Sequence, residues 1–215
     1  MSEETKKRGD GEKKMGLFGG TFNPIHLGHL RGAEEIREAF SLREVVFIPA
    51  AIPPHKVNEE VIEAHHRLEM VRLAILSNAY FSTSNIELER PGKSYSIDTI
   101  RYFRERYLDS LFFILGRDAF VEIETWKDFK DLFSLCNFIV MTRPGSQKTP
   151  SPIPKSLVST FRYDQELRAW IHTSGRTLYF KEITFLDISS TKVRELIEKE
   201  ESVKYLVPTE VEAYI

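Results

Sequence analysis

At 215 residues, with 41% hydrophobic and 29% charged side chains, the chain can bury one medium α/β core but is too short for two full domains. That composition excludes a disordered or membrane-embedded protein, and a formal net charge of -2 excludes a general electrostatic drive toward nucleic acid. Any phosphate site must be local.

The opening MSEETKKRGDGEKKMG is charged and holds no apolar core for a signal peptide. Residues 1–14 are expected to form a solvated tail and 15–215 a single domain, with the cytoplasm as the expected compartment and no membrane contact. Short apolar runs with β-branched or aromatic residues predict strands at 15–18, 45–49, 81–87, 111–115, 138–142 and 178–185. Helical spacing lies between several of them, at 29–40, 65–77, 96–107 and 128–135. Such alternation implies right-handed crossovers and an α/β fold with a doubly wound parallel sheet, whose ligands bind beyond the carboxyl ends of the strands. The lone cysteine, Cys136, sits in the apolar run LFSLCNFIV and reads as a small buried thiol rather than a nucleophile. RPGSQKTPSPIPK at 143–155 leaves the sheet as a connector, and a less regular section follows. Beyond it come the last strand, a turn at 187–190 and a helix at 191–200, a small C-terminal helical section. The sequence leaves a homo-oligomer open.

The segment LFGGTFNPIHLGHLRGAEEI passes directly from strand to helix, with Gly19 and Gly20 at the turn and Pro24 stiffening the loop. Glycines let the backbone approach a phosphate, and the helix N-terminus beyond supplies free N–H groups and a favourable dipole. His26 and His29, three residues apart at the helix start with Gly28 between them, can turn both imidazoles to one side and donate to phosphate oxygens. The plain alternative is a glycine turn and a capped helix with two surface histidines. Zinc is the weaker reading, since no third ligand stands at a recognisable spacing, so no metal site is expected in the chain itself.

GGTFNPIHLGH resembles the GGTFDPIHxGH loop of the nicotinate mononucleotide adenylyltransferases, within the HxGH nucleotidylyltransferase superfamily. Asn23 stands where Asp is common. The resemblance implies a Rossmann-like nucleotidylyltransferase fold that transfers the adenylyl group of ATP, arriving with Mg2+, to nicotinate mononucleotide. It also implies that Gly19, Gly20, Thr21, Phe22 and Gly28 bind ATP, and that His26 and His29 hold its triphosphate and stabilise charge as pyrophosphate departs. IPAAIPPHK resembles the family's PPHK segment, which implies a phosphate-neutralising role for Lys56; a solvated lysine after a rigid turn is the alternative. DISSTKVRELI resembles the ISSTxIR motif, in which Ile188, Ser189, Ser190 and Thr191 open a helix on the ATP phosphates and Arg194 supplies a planar donor fork. An ordinary capped helix is the rival reading there.

For the mononucleotide the resemblance implies Asn23, Ser94, Tyr95, Gly116, Asp118, Trp126 and Arg143. Ser94 and Tyr95 lie in ELERPGKSYSIDTI, where a helix start with Tyr95 on the core is equally consistent. Trp126 follows the FILGRDAF strand and turn, and offers an indole face to a flat heterocycle or an anchor to the core. Arg143 begins an RPG turn that places a cation near the nucleotide or simply marks the surface. Phosphopantetheine adenylyltransferases, cytidylyltransferases and a non-catalytic nucleotide sensor share the fold; the PPHK, SYSIDT and tryptophan segments argue against the first two.

Overall fold

In chain order the elements are β1 (Met15–Gly20), α1 (Leu27–Ala39), β2 (Glu44–Pro49), α2 (Ala64–Ile75), β3 (Phe81–Thr83), α3 (Ile86–Glu89) and α4 (Ser96–Tyr107). They continue with β4 (Leu111–Gly116), α5 (Arg117–Val121), α6 (Phe129–Leu135), β5 (Asn137–Thr142), β6 (Phe161–Asp164), β7 (Ala169–His172), β8 (Thr177–Glu182), α7 (Ser190–Glu198) and α8 (Thr209–Tyr214). The computed structural model describes residues 14–54, 61–107, 110–145 and 153–215. The expected solvated tail therefore lies, but for Lys14, outside the described residues, as does the middle of the proline-rich connector.

The central strands are apolar on both faces, and their period of two sends successive side chains to different cores. Leu111, Phe113 and Leu115 of β4 belong to one, with Ile97, Ile100 and Phe103 of α4 and Leu132 and Phe133 of α6. Phe112 and Ile114 belong to the other, with Ile36 of α1, Met70 and Val71 of α2, Val193 of α7 and Val211 of α8. Helices thus cover both faces of one sheet of order β3-β2-β1-β4-β5-β8-β7-β6. From β3 to β8 every neighbouring pair is parallel. The chain first winds outward from β1 to β3, then returns to the other side of β1 to form β4. The order reverses between β1 and β4, and a crevice opens there beyond the strand ends.

The expected strand at 81–87 is corrected: β3 stops at Thr83, and the Ser84 hydroxyl accepts the Ile86 N–H at 3.3 Å as the backbone turns into α3. The last strand ends at Glu182 rather than at 185. The section read as less regular holds an antiparallel hairpin, β6–β7, which extends β8 to the sheet edge. Its turn is made by Asp164, whose carboxylate accepts the N–H groups of Glu166 and Leu167 at 3.1 and 3.0 Å. No helix among the described residues is long and apolar enough to cross a membrane.

Candidate active site

The loop after β1 is shaped by contacts a larger residue would forbid. A Cβ on Gly20 would stand 2.8 Å from the Phe22 ring. Phe22 itself takes a left-handed φ of 49° with its ring 3% exposed, so burial of the ring offsets the backbone strain. That ring lies edge-on to His29, centroids 5.2 Å apart, and Phe22 therefore offers the site its main chain and a wall behind the histidine.

His26 caps α1 from an extended backbone, and the two imidazoles stack with centroids 3.7 Å apart. His29 Nδ1 accepts the His26 backbone N–H at 3.2 Å, which leaves the proton of a neutral His29 on Nε2 as a donor. His26 is 6% exposed, and its Nδ1 has no hydrogen-bond partner among the described residues. Burial lowers the His26 pKa to about 4. Burial, and then the neighbouring His26, hold His29 well below the usual imidazole range. Near neutral pH the pair is uncharged until an anion arrives to favour protonation.

The first turn of α7 is tied to this loop. Ser189 caps the helix, accepting the Lys192 N–H at 3.1 Å, and the Ser190 hydroxyl donates to the Pro24 carbonyl at 2.8 Å. Arg194 donates to the Asn23 carbonyl at 2.8 Å. Asn23 is buried, and its side-chain carbonyl accepts the Ile62 N–H at 3.3 Å, a role in fixing the loop. Two helix N-termini and a guanidinium thus converge on one short stretch of chain.

Beyond the ends of β1, β2 and β4 lies a cavity of about 260 Å³. Of the residues expected from the sequence it is lined by Gly19, Gly20, Thr21, Ser94, Tyr95, Gly116 and Trp126. Trp126 packs edge-on to Phe113 at 6.2 Å, so it is anchored to the core while lining the cavity. The Ser94 hydroxyl accepts the Ala51 N–H at 2.8 Å and holds the β2 loop to the start of α4. Asp118 and Arg143 do not line the cavity: they form an exposed ion pair at 3.6 Å, with Arg143 also 4.4 Å above the Phe185 ring. Lys56 lies outside the described residues.

Two charged groups that carried no expected role are built into the same region. Glu87 lines the cavity at 7% exposure. Burial raises its pKa against the opposing pull of hydrogen bonds from the Thr99 hydroxyl, at 2.6 Å, and from Ser94. Arg67 of α2 is 1% exposed and, among the described residues, donates only to main-chain carbonyls. The signal for Arg67 was present: it shares a helix face with Val71 and Ala74, which are buried. A charged residue on an apolar face needs partners, and the sequence did not say which. The one three-ligand group that could hold a metal ion among the described residues is exposed and separate from the histidine pair, at Glu63, His65 and His66.

Fold and site together define a nucleotidyltransferase of the cytidylyltransferase-like class: the model of that family matches residues 17–196, most of the chain. Its relatives are more specific. Proteins named "Probable nicotinate-nucleotide adenylyltransferase" from Pelobacter propionicus and Geobacter sulfurreducens are 48% and 45% identical over 205 residues, 94% of this chain and 95% of each relative. The chain belongs to the nicotinate-nucleotide adenylyltransferase family, as the resemblance of its first loop implied. A Plasmodium falciparum nicotinic acid mononucleotide adenylyltransferase complexed with NaAD shares the fold, with a TM-score of 0.70 over 94% of both chains at 19% identity.

Proposed function

We propose that this chain joins nicotinate mononucleotide to the AMP part of ATP. A phosphate oxygen of the mononucleotide bonds to the α-phosphorus as its bond to the bridging oxygen breaks, giving nicotinate adenine dinucleotide and pyrophosphate. The observation that carries the reading is the continuity of the site: the loop lining one wall of the aromatic-walled cavity runs on into the stacked His26 and His29 and is clamped by α7. The cavity suits a flat pyridine ring beside Trp126, while the histidine pair, Arg194 and the α7 N-terminus suit a polyphosphate.

Catalysis then rests on positioning and charge stabilisation, with no covalent enzyme intermediate. His29 Nε2–H donates to the departing pyrophosphate, His26 lies stacked beside it, and Arg194 bridges phosphate and loop. Lys56 is assigned by its PPHK segment alone. Nucleotidyltransferases of this family use a divalent metal ion with ATP. We take that ion to be Mg2+, entering as part of the substrate and held chiefly by phosphate oxygens and water.

The test is pyrophosphate release from ATP with nicotinate mononucleotide, nicotinamide mononucleotide and phosphopantetheine offered separately. Preference for the first is the expected outcome. Turnover with phosphopantetheine alone, or with none of them, would sink the assignment.

A further inference from the structure

Arg67 has a coordination that packing alone does not require. Its guanidinium donates from Nε to the Ile62 carbonyl at 2.7 Å, from one terminal nitrogen to the Thr21 carbonyl at 2.7 Å and from the other to the Ala51 carbonyl at 3.1 Å. No ion pair to it exists among the described residues. Burial brings its pKa down to about 10, so it remains a cation at neutral pH, solvated by main-chain oxygens. Taking a guanidinium out of water is costly, and among the described residues main-chain carbonyls alone offset that cost.

The three carbonyls belong to places the reaction needs fixed. Thr21 follows β1 and lines the cavity at the root of the histidine loop. Ala51 follows β2, and its N–H is held in turn by Ser94. Ile62 precedes α2, and its N–H donates to the Asn23 side chain. A single planar group thus ties the β2 loop at Ala51 and the start of α2 at Ile62 to the loop that runs on to His26 and His29.

We propose that Arg67 is a positioning residue for adenylyl transfer, holding the β1 loop, the β2 loop and the start of α2 in mutual register without touching substrate. This rests on the adenylyltransferase reading above. A lysine keeps the charge but has no rigid fork to satisfy three separated carbonyls, so Arg67→Lys is not conservative here. Misplacement of reacting groups by about 1 Å costs on the order of a hundred-fold in rate, and a smaller shift proportionately less.

The experiment compares wild type, Arg67→Lys and Arg67→Gln by circular dichroism, thermal melting and steady-state kinetics, assayed well below the lowest melting temperature. Wild-type turnover is measured first, since its absence refutes the functional reading and not this one. The expected result is folded Arg67→Lys with kcat lowered on the order of ten- to a hundred-fold and KM for ATP within about threefold of wild type, with Arg67→Gln lower still. Folded Arg67→Lys with wild-type kcat overturns the proposal. So does failure of both Arg67 variants to fold, which would make Arg67 a requirement of the fold rather than of the site.

Discussion

Gly28→Ala separates folding from chemistry at one atom. A Cβ at Gly28 would lie 3.1 Å from both Cε1 and Nδ1 of His26 and 3.7 Å from the Leu186 carbonyl oxygen, where ordinary contact begins near 3.4 Å. Something must give by a few tenths of an ångström. His26 has little freedom to retreat, since its ring is 6% exposed and stacked on His29 at 3.7 Å. The substitution itself favours the helix by up to about 1 kcal/mol, which offsets the crowding and leaves the melting temperature within about 4 °C of wild type for a chain of this size. Activity should respond differently. Scaled from about a hundred-fold per ångström, a displacement of a few tenths predicts a kcat about three- to tenfold lower. Thermal melting and pyrophosphate release at saturating substrates measure the two effects separately. A kcat within twofold of wild type at an unchanged melting temperature would refute the argument that the position of His26 matters.

Acid should destabilise the fold through the same residue. The unfolded chain binds a proton on His26 below pH about 6.5 whereas the folded chain waits until about 4, so stability falls as pH drops through that window, by about 3 kcal/mol at roughly 1.4 kcal/mol per unit. Melting curves from pH 7 to 4 should therefore be flatter for His26→Gln than for wild type, and equal slopes would contradict this. Trp126→Ala should raise KM for the mononucleotide about ten- to a hundred-fold, from a stacking contribution of about 1–3 kcal/mol, with KM for ATP little changed; equal effects on both substrates would place the indole elsewhere. Cys136 is buried and its thiol pKa is pushed up by that burial, so a thiol reagent should label it only on unfolding, and rapid labelling of the native protein would refute that.

What could be read from the sequence was what local pattern controls. The central strands are continuous apolar runs, and a strand such as LFFIL has few fates other than the middle of a covered sheet. The histidine loop was legible because its residues are contiguous. The β6–β7 hairpin was not, because FRYD and AWIH are short and only partly buried, and their pairing depends on a turn formed by the Asp164 side chain. In β3 the run FSTSNIELE carries enough apolar residues for a longer strand, and the local competition from Ser84 decides against it. The partners of Arg67 and Glu87 were hidden for a different reason: they lie on other elements, at Thr21 and Thr99, and no local pattern encodes a contact across the fold. Asp118 and Arg143 were each legible in a local motif, whereas their pairing with one another across the fold was not.

The clamp between α7 and the first loop has a consequence in time. Ser190 and Pro24 are 166 residues apart in sequence, and Arg194 and Asn23 are 171 apart. On the ribosome β1, α1 and β2 emerge long before α7 exists, and contacts of such separation form late because their loop-closure entropy must first be overcome. A nascent chain therefore carries both histidines while lacking the helix that completes the polyphosphate grip. Tight nucleotide binding should appear only once the stretch from Ser190 onward, about the last eighth of the 215 residues, has been released to fold back on the first loop.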